Sequence, residues 1–107
     1  MEHISAPELA AWLADATRAA PLLLDVREVP EYQICHIPGS MHIPMHEIPG
    51  RLAELDEEAV LVCICHHGMR SRQVAQFLEH QGYTHVMNLT GGVHAWAVQL
   101  DPDMATY

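Results

Sequence analysis

The sequence predicts an α/β domain whose central, mainly parallel sheet is flanked by helices on both faces. Two apolar runs and the helical segments alternating with them point that way. Leu22 to Val26, broken only by Asp25, and Val60 to Cys65 are nearly continuous in apolar residues. A strand with one face in water alternates apolar and polar positions, so continuous runs indicate strands covered on both sides. Strands alternating with helices along the chain then imply a layered α/β architecture.

The elements can be justified in order. Ser5, with Glu8 three residues on and Pro7 in the first turn, predicts a capping-box helix start, and Leu9, Trp12, Leu13 and Ala16 line one face of that helix. The strand Leu22 to Val26 follows. Val29 to Pro49 contains Pro30, Pro38, Pro44 and Pro49, which restricts it to loop with short pieces of strand and helix. The acidic stretch Glu54 to Glu58 reads as a solvated helix end. After the strand Val60 to Cys65, Ser71 is expected to cap a helix with apolar positions Val74, Ala75, Phe77 and Leu78, closed by a left-handed Gly82. His85 to Leu89 predicts a last strand, Gly91-Gly92 a tight turn, and Val93 to Leu100 a final helix. Trp12 and Trp96 are expected as core anchors of the first and last helices.

The 107 residues are half hydrophobic, enough to fill one core without disulfide staples. No internal repeat, low-complexity tract or flexible linker interrupts the chain, so residues 1–107 are expected to form a single domain. Acidic residues outnumber basic ones 14 to 5, for a formal net charge of −9, and the five cations are Arg18, Arg27, Arg51, Arg70 and Arg72. That balance argues against nucleic acid and anionic membrane as partners. Arg70 and Arg72 are the only close pair, a place for a small anion. The start Met-Glu-His-Ile-Ser lacks a basic, apolar export signal and no stretch is long enough to span a membrane, so a cytoplasmic location is expected. Cys35, Cys63 and Cys65, an odd number, are then expected to be reduced thiols.

Cys65 is the candidate nucleophile. It ends a predicted strand, and the loop His66-His67-Gly68-Met69-Arg70 leads into the helix near Ser71. In parallel α/β sheets, functional groups collect beyond the C-terminal strand ends, where helix N-termini present unpaired N–H groups. Amides curling around the sulfur would form an anion nest. An ordinary thiol titrates at about 8.5, and helix N-termini and arginines lower that value, so Cys65 is expected to be activated. Gly68 frees the loop backbone, and Arg70 adds a fixed charge with several donors. Cys63, inside the strand, is expected to pack as a small hydrophobe.

Several motifs together resemble the rhodanese family. Leu24-Asp25-Val26-Arg27 is similar to its Asp-Val-Arg strand end. Glu31-Tyr32, then His36-Ile37-Pro38-Gly39-Ser40 and His42-Ile43-Pro44, resemble its Gly-His-Ile-Pro-Gly-Ala and Asn-Ile-Pro segments. Gly82-Tyr83 and Leu89-Thr90-Gly91-Gly92-Val93-His94-Ala95-Trp96 resemble its closing signatures. The series spans nearly the whole chain in order. The resemblance implies a thiosulfate sulfurtransferase in which Cys65 takes sulfane sulfur from a small anionic donor such as thiosulfate, holds it as a persulfide, and passes it to cyanide or to a thiol or protein acceptor. It also implies that amides from His66 to Ser71 cradle the sulfur, that Arg70 binds the donor's oxygens, and that Asp25 and Arg27 support the loop floor. No cofactor or metal is implied. One departure is Cys35, where the family usually has Gly before His-Ile-Pro-Gly. A Cys there would be strained if the position needed positive φ, and a second thiol could resolve a persulfide on Cys65.

Three rivals deserve weight. A phosphatase or arsenate reductase of the same fold needs Cys, five residues, then Arg, whereas Cys65 and Arg70 enclose four. Nine histidines and the run Cys63-Ile64-Cys65-His66-His67 suggest a metal-binding protein, but His42 and His46 are separated by Pro44, and His3, His36, His80, His85 and His94 are scattered. A catalytically silent interaction module is the third, and the presence of both Cys65 and Arg70 argues against it. His66 and His67 could tune the thiolate or simply be exposed loop residues.

Overall fold

The computed structural model describes all of residues 1–107. Five strands, β1 (Glu2–Ile4), β2 (Leu22–Asp25), β3 (Met41–His42), β4 (Leu61–Ile64) and β5 (Val86–Leu89), are interleaved with α1 (Ala6–Ala14), α2 (Val29–Ile34), α3 (Met69–His80) and α4 (Gly92–Gln99), and a 3-10 segment, Met45–Glu54, precedes β4. The strands form one parallel sheet in the order β1-β5-β4-β2-β3.

The period of two along each strand divides the interior into two cores. Leu24 and Val26 from the β2 run, with Leu61, Cys63 and Cys65 from the β4 run, pack beneath Val74, Ala75 and Leu78 of α3 and Ile48 of the 3-10 segment. Leu23, Val62, Ile64 and Leu89 face the other way, against Leu9 and Trp12 of α1 and Val93 of α4. Both faces of the sheet are therefore covered, which accounts for the unbroken apolar runs.

Local signals set several boundaries. Ser5 Oγ accepts from the Glu8 amide at 3.2 Å and Glu8 Oε1 from the Ser5 amide at 3.0 Å, a reciprocal capping box. At the far end of α3, Gly82 has φ +98, the Gly82 amide donates to Glu79 O and the Tyr83 amide to Leu78 O, both at 3.1 Å. That is the Schellman pattern, and it explains why glycine closes the helix.

Other expectations are corrected. α1 buries Ala6, Leu9 and Trp12; Leu13 is 37% exposed, and Ala16 lies beyond the helix, because Asp15 turns extended at φ −87, ψ 102. Trp12 is buried, whereas Trp96 is only half-buried against the second core. Ser71 does not cap α3. The helix begins at Met69 with Gly68 as its N-cap, so Ser71 sits inside the first turn, buried. Strand β1, with one buried residue, is too short to show a period. Cys35 has φ −162 and ψ 152, ordinary extended backbone, so no strain attends a Cys there.

The chain order places a crevice. From β2 the chain moves outward to β3, and from β4 it moves outward the other way to β5. β2 and β4 are hydrogen-bonded neighbours, so the loops leaving their C-terminal ends diverge above the sheet, the place where α/β folds bind ligands. Cys65 and Arg27 flank that point.

Candidate active site

Cys65 lies one residue past the end of β4, and its side chain is on the α3 side of the sheet, two residues on from Cys63. Its sulfur accepts the Gly68 amide at 3.1 Å and lies 3.2 Å from Ser71 Oγ. Gly68 takes φ +102, and a Cβ there would stand 3.2 Å from Leu89 O and 3.3 Å from the Gly91 amide nitrogen. Glycine thus serves both the left-handed turn and the close approach of β5. Because α3 starts at Met69, the amides of Met69, Arg70 and Ser71 belong to its first turn, where no intrahelical acceptor exists. Their partial positive charge collects on the sulfur's side of the loop.

Ser71 and Asn88 form a relay that sequence reasoning missed. Ser71 Oγ donates to Asn88 Oδ1 at 2.5 Å, and Asn88 Nδ2 donates to Gly68 O at 3.1 Å and approaches His3 Nδ1 at 3.4 Å. Asn88 is the buried polar residue of an otherwise apolar β5, the one signal that could have marked it. A hydroxyl has one proton, so Ser71 either accepts from the Cys65 thiol while donating to Asn88, or turns that proton to a Cys65 thiolate. The arrangement accommodates both forms of the sulfur.

The first turn of α4 holds the loop from the opposite side. The Val93 amide donates to Cys65 O at 2.9 Å and the His94 amide to His66 O at 3.1 Å. Gly92, at φ +58, permits this: an added Cβ would fall on the Cys65 carbonyl oxygen and within 2.5 Å of His66 O.

Asp25 and Arg27 are fully buried. Arg27 Nε donates to Asp25 Oδ1 at 2.9 Å and Nη2 to Oδ2 at 2.7 Å, while the same guanidinium reaches Cys35 O at 2.6 Å, Glu31 O at 3.3 Å and Tyr107 Oη at 3.0 Å. Burial works against the Arg27 charge, but the Asp25 carboxylate, together with hydrogen bonds to Tyr107 and Cys35, offsets it and holds the guanidinium above its ordinary value. This pair bolts the end of β2 to the C-terminal carbonyls of α2.

Arg70 is not a free cation. Its Nη1 and Nη2 donate to Glu31 Oε2 and Oε1 at 2.7 and 2.8 Å. Those bonds hold the Glu31 carboxyl at about 2, far below its usual range, despite partial burial. Tyr107 Oη donates to Glu31 Oε1 at 3.0 Å, and the Tyr107 ring stacks on His66 with centroids 4.0 Å apart and planes 13° apart. His66 also lies 4.1 Å from His67, ring to ring. Partial burial and then the neighbouring His67 press its pKa down. His67 and Met69 are exposed.

The cysteines separate clearly. All three are unpaired. Burial raises the Cys63 thiol to about 12, with the charge on Cys65 adding to the effect, which leaves Cys63 a packed thiol. Cys35 Sγ lies 3.8 Å from Arg27 Nη1 and shares a narrow cleft with His66, His94 and Tyr107. No group of three or more His, Cys, Asp or Glu side chains has metal-holding geometry. No helix is long and apolar enough to cross a membrane.

Residues 5–99 match the family model described as a rhodanese-like domain. The chain is 38% identical over 97 residues to a protein of Allochromatium vinosum named "Sulfurtransferase", covering 91% of this chain and 89% of that one. It is 43% identical over 74 residues to the "Putative sulfur carrier protein YrkF" of Bacillus subtilis, covering 69% of this chain but only 40% of that longer protein. Among solved structures, a rhodanese-like domain protein from Staphylococcus aureus superposes with a TM-score of 0.83 at 32% identity, over 90% of this chain and 91% of that one. The parallel sheet, the cysteine loop at its C-terminal edge and these likenesses agree, and the chain belongs to the rhodanese-like domain family.

Proposed function

We propose that this protein is a sulfurtransferase that carries sulfane sulfur as a persulfide on Cys65. The observation that carries the reading is the Cys65 sulfur resting on the Gly68 amide at the first turn of α3, a setting in which thiolate and persulfide anions are both stabilised. The Cys65 thiolate attacks the outer sulfur of a donor. With thiosulfate the donor's S–S bond breaks, sulfite leaves with the electron pair, and Cys65 becomes a persulfide. An acceptor thiolate, or cyanide, then attacks the outer sulfur, giving an acceptor persulfide or thiocyanate and regenerating the Cys65 thiolate. The amides from His66 to Ser71 hold the charge of both anions, and Asp25 with Arg27 keeps the loop floor rigid. Three unpaired thiols suit the reducing cytoplasm.

The test is intact mass of the reduced protein and of Cys65→Ser after donor treatment, before and after cyanide, with thiocyanate assayed in parallel. Gain of one sulfur by the unmodified protein alone, removed by cyanide with matching thiocyanate, supports the reading. Absence of sulfur gain from both thiosulfate and cysteine persulfide overturns it.

A further inference from the structure

Resting on the sulfur-carrier reading, we propose that Glu31 sets donor specificity by occupying Arg70, so that the site disfavours dianionic donors such as thiosulfate relative to alkyl persulfides. Both donor nitrogens at the end of the Arg70 guanidinium are engaged by the two oxygens of one carboxylate. A thiosulfate oxygen pair that takes this end-on fork must displace that carboxylate, and the Nε edge is all that is left beside it. Glu31 is itself held in place. Oε2 also accepts the Glu28 amide at 2.9 Å, and Oε1 also accepts Tyr107 Oη. Each oxygen thus takes two hydrogen bonds, and Tyr107 is fixed in turn by Arg27 and by its stack on His66.

Of the other four cations, three are engaged elsewhere, and Arg72, two residues on from Arg70, is exposed on α3. Arg27 is buried on Asp25, Arg51 is paired with Glu47 and Glu54, and Arg18 lies over the Trp12 ring. Glu31 stays ionised throughout the working pH range, so a dianion meets a neutralised pair where it needs a positive charge. The perthiol group of an alkyl persulfide carries at most one negative charge, on the outer sulfur that reacts. In that transfer the Cys65 thiolate attacks the outer sulfur of R–S–SH, the S–S bond breaks, R–S⁻ leaves with the electron pair, and the proton stays on the new Cys65 persulfide. No step needs Arg70.

The experiment compares steady-state transfer to cyanide from thiosulfate and from cysteine persulfide, in the unmodified protein, Glu31→Gln, Tyr107→Phe and the double variant Glu31→Gln/Arg70→Ala. Glutamine retains an oxygen for the Glu28 amide, so the start of α2 is kept. Glu31→Gln is expected to raise kcat/KM for thiosulfate about tenfold through KM, comparable to one charge-assisted hydrogen bond, and to change the cysteine persulfide value less than about twofold. The gain should vanish in the double variant. Tyr107→Phe, which loosens Glu31 without removing it, should give a smaller rise of the same kind and serves if Glu31→Gln does not fold. An unchanged or lower thiosulfate kcat/KM in these single variants, or equal gains with both donors, overturns the gate. Failure of both donors to place sulfur on Cys65 in every protein overturns the sulfur-carrier reading instead.

Discussion

The carbonyl oxygen of Cys65 accepts the amide proton of Val93 at 2.9 Å. The backbone of the proposed nucleophile is therefore positioned by the start of α4, 28 residues further along the chain, as well as by its own strand. The two halves of the loop's support, α3 and α4, meet at Gly68, Gly91 and Gly92.

That contact makes Gly92 a sensitive position. Gly92→Ala adds a Cβ onto the Cys65 and His66 carbonyls at positive φ, and overpacking alone is expected to destabilise by about 1–3 kcal/mol. Sulfur loading should fall with it. Gly50→Ala, whose Cβ would meet open space, is the control. Urea midpoints would decide, and a Gly92→Ala variant as stable and active as Gly50→Ala would refute the account.

Asp25→Asn leaves the Arg27 guanidinium buried with its counter-charge gone. Breaking a buried ion pair in this way is expected to destabilise by about 3–5 kcal/mol. Chemical denaturation measures it, and a loss below about 1 kcal/mol would contradict a structural role for the pair.

Ser71→Ala removes the donor to Asn88 Oδ1 and a partner of the Cys65 sulfur. A buried acceptor without its donor is expected to lower stability by about 1–3 kcal/mol. The rate of sulfur loading onto Cys65 should also drop, at a protein concentration and temperature where both forms remain folded. Unchanged stability and loading together would show that the relay is idle.

The Glu31 carboxyl should leave a signature in acid. Its pKa is lowered from 4.5 to about 2 in the folded protein, chiefly by Arg70. Between those limits the unfolded chain binds more protons, so stability rises with pH there. The contribution is complete above about pH 4.5 and disappears as pH falls toward about 2. Stability measured against pH should therefore fall less steeply for Glu31→Gln than for the unmodified protein in that window. Parallel curves would show that the pair does not stabilise the fold.

Burial that holds Cys63 at about 12 predicts that iodoacetamide at mildly alkaline pH leaves it unmodified in the folded protein. Peptide mapping by mass spectrometry tests this, and labelling of Cys63 ahead of Cys35 would contradict it.

Much of this arrangement was legible along the chain. The apolar runs of β2 and β4, the Ser5–Glu8 box and Gly82 are local signals, each acting within a few residues, and they mark elements whose alternation leaves little choice but a layered parallel sheet. Cys65 stood out for the same reason, as a thiol where a strand passes through a glycine-containing turn into a helix. Ser71 is not the cap, although Ser is a common N-cap residue, because Gly68, three residues before it, starts the helix by turning left-handed.

The amino-acid sequence by itself determined the order of strands and helices and put a cysteine at a strand end, because periodicity and turn chemistry are short-range. Only the tertiary structure decided what each polar side chain meets. Arg70 looks free in the sequence, yet Glu31, 39 residues earlier, takes both its terminal nitrogens. Asn88 and Ser71 meet because β5 lies beside β4, and Tyr107 reaches Arg27 and Glu31 because the chain returns over the loop. Partner choice depends on which strands become neighbours, and no local pattern encodes that.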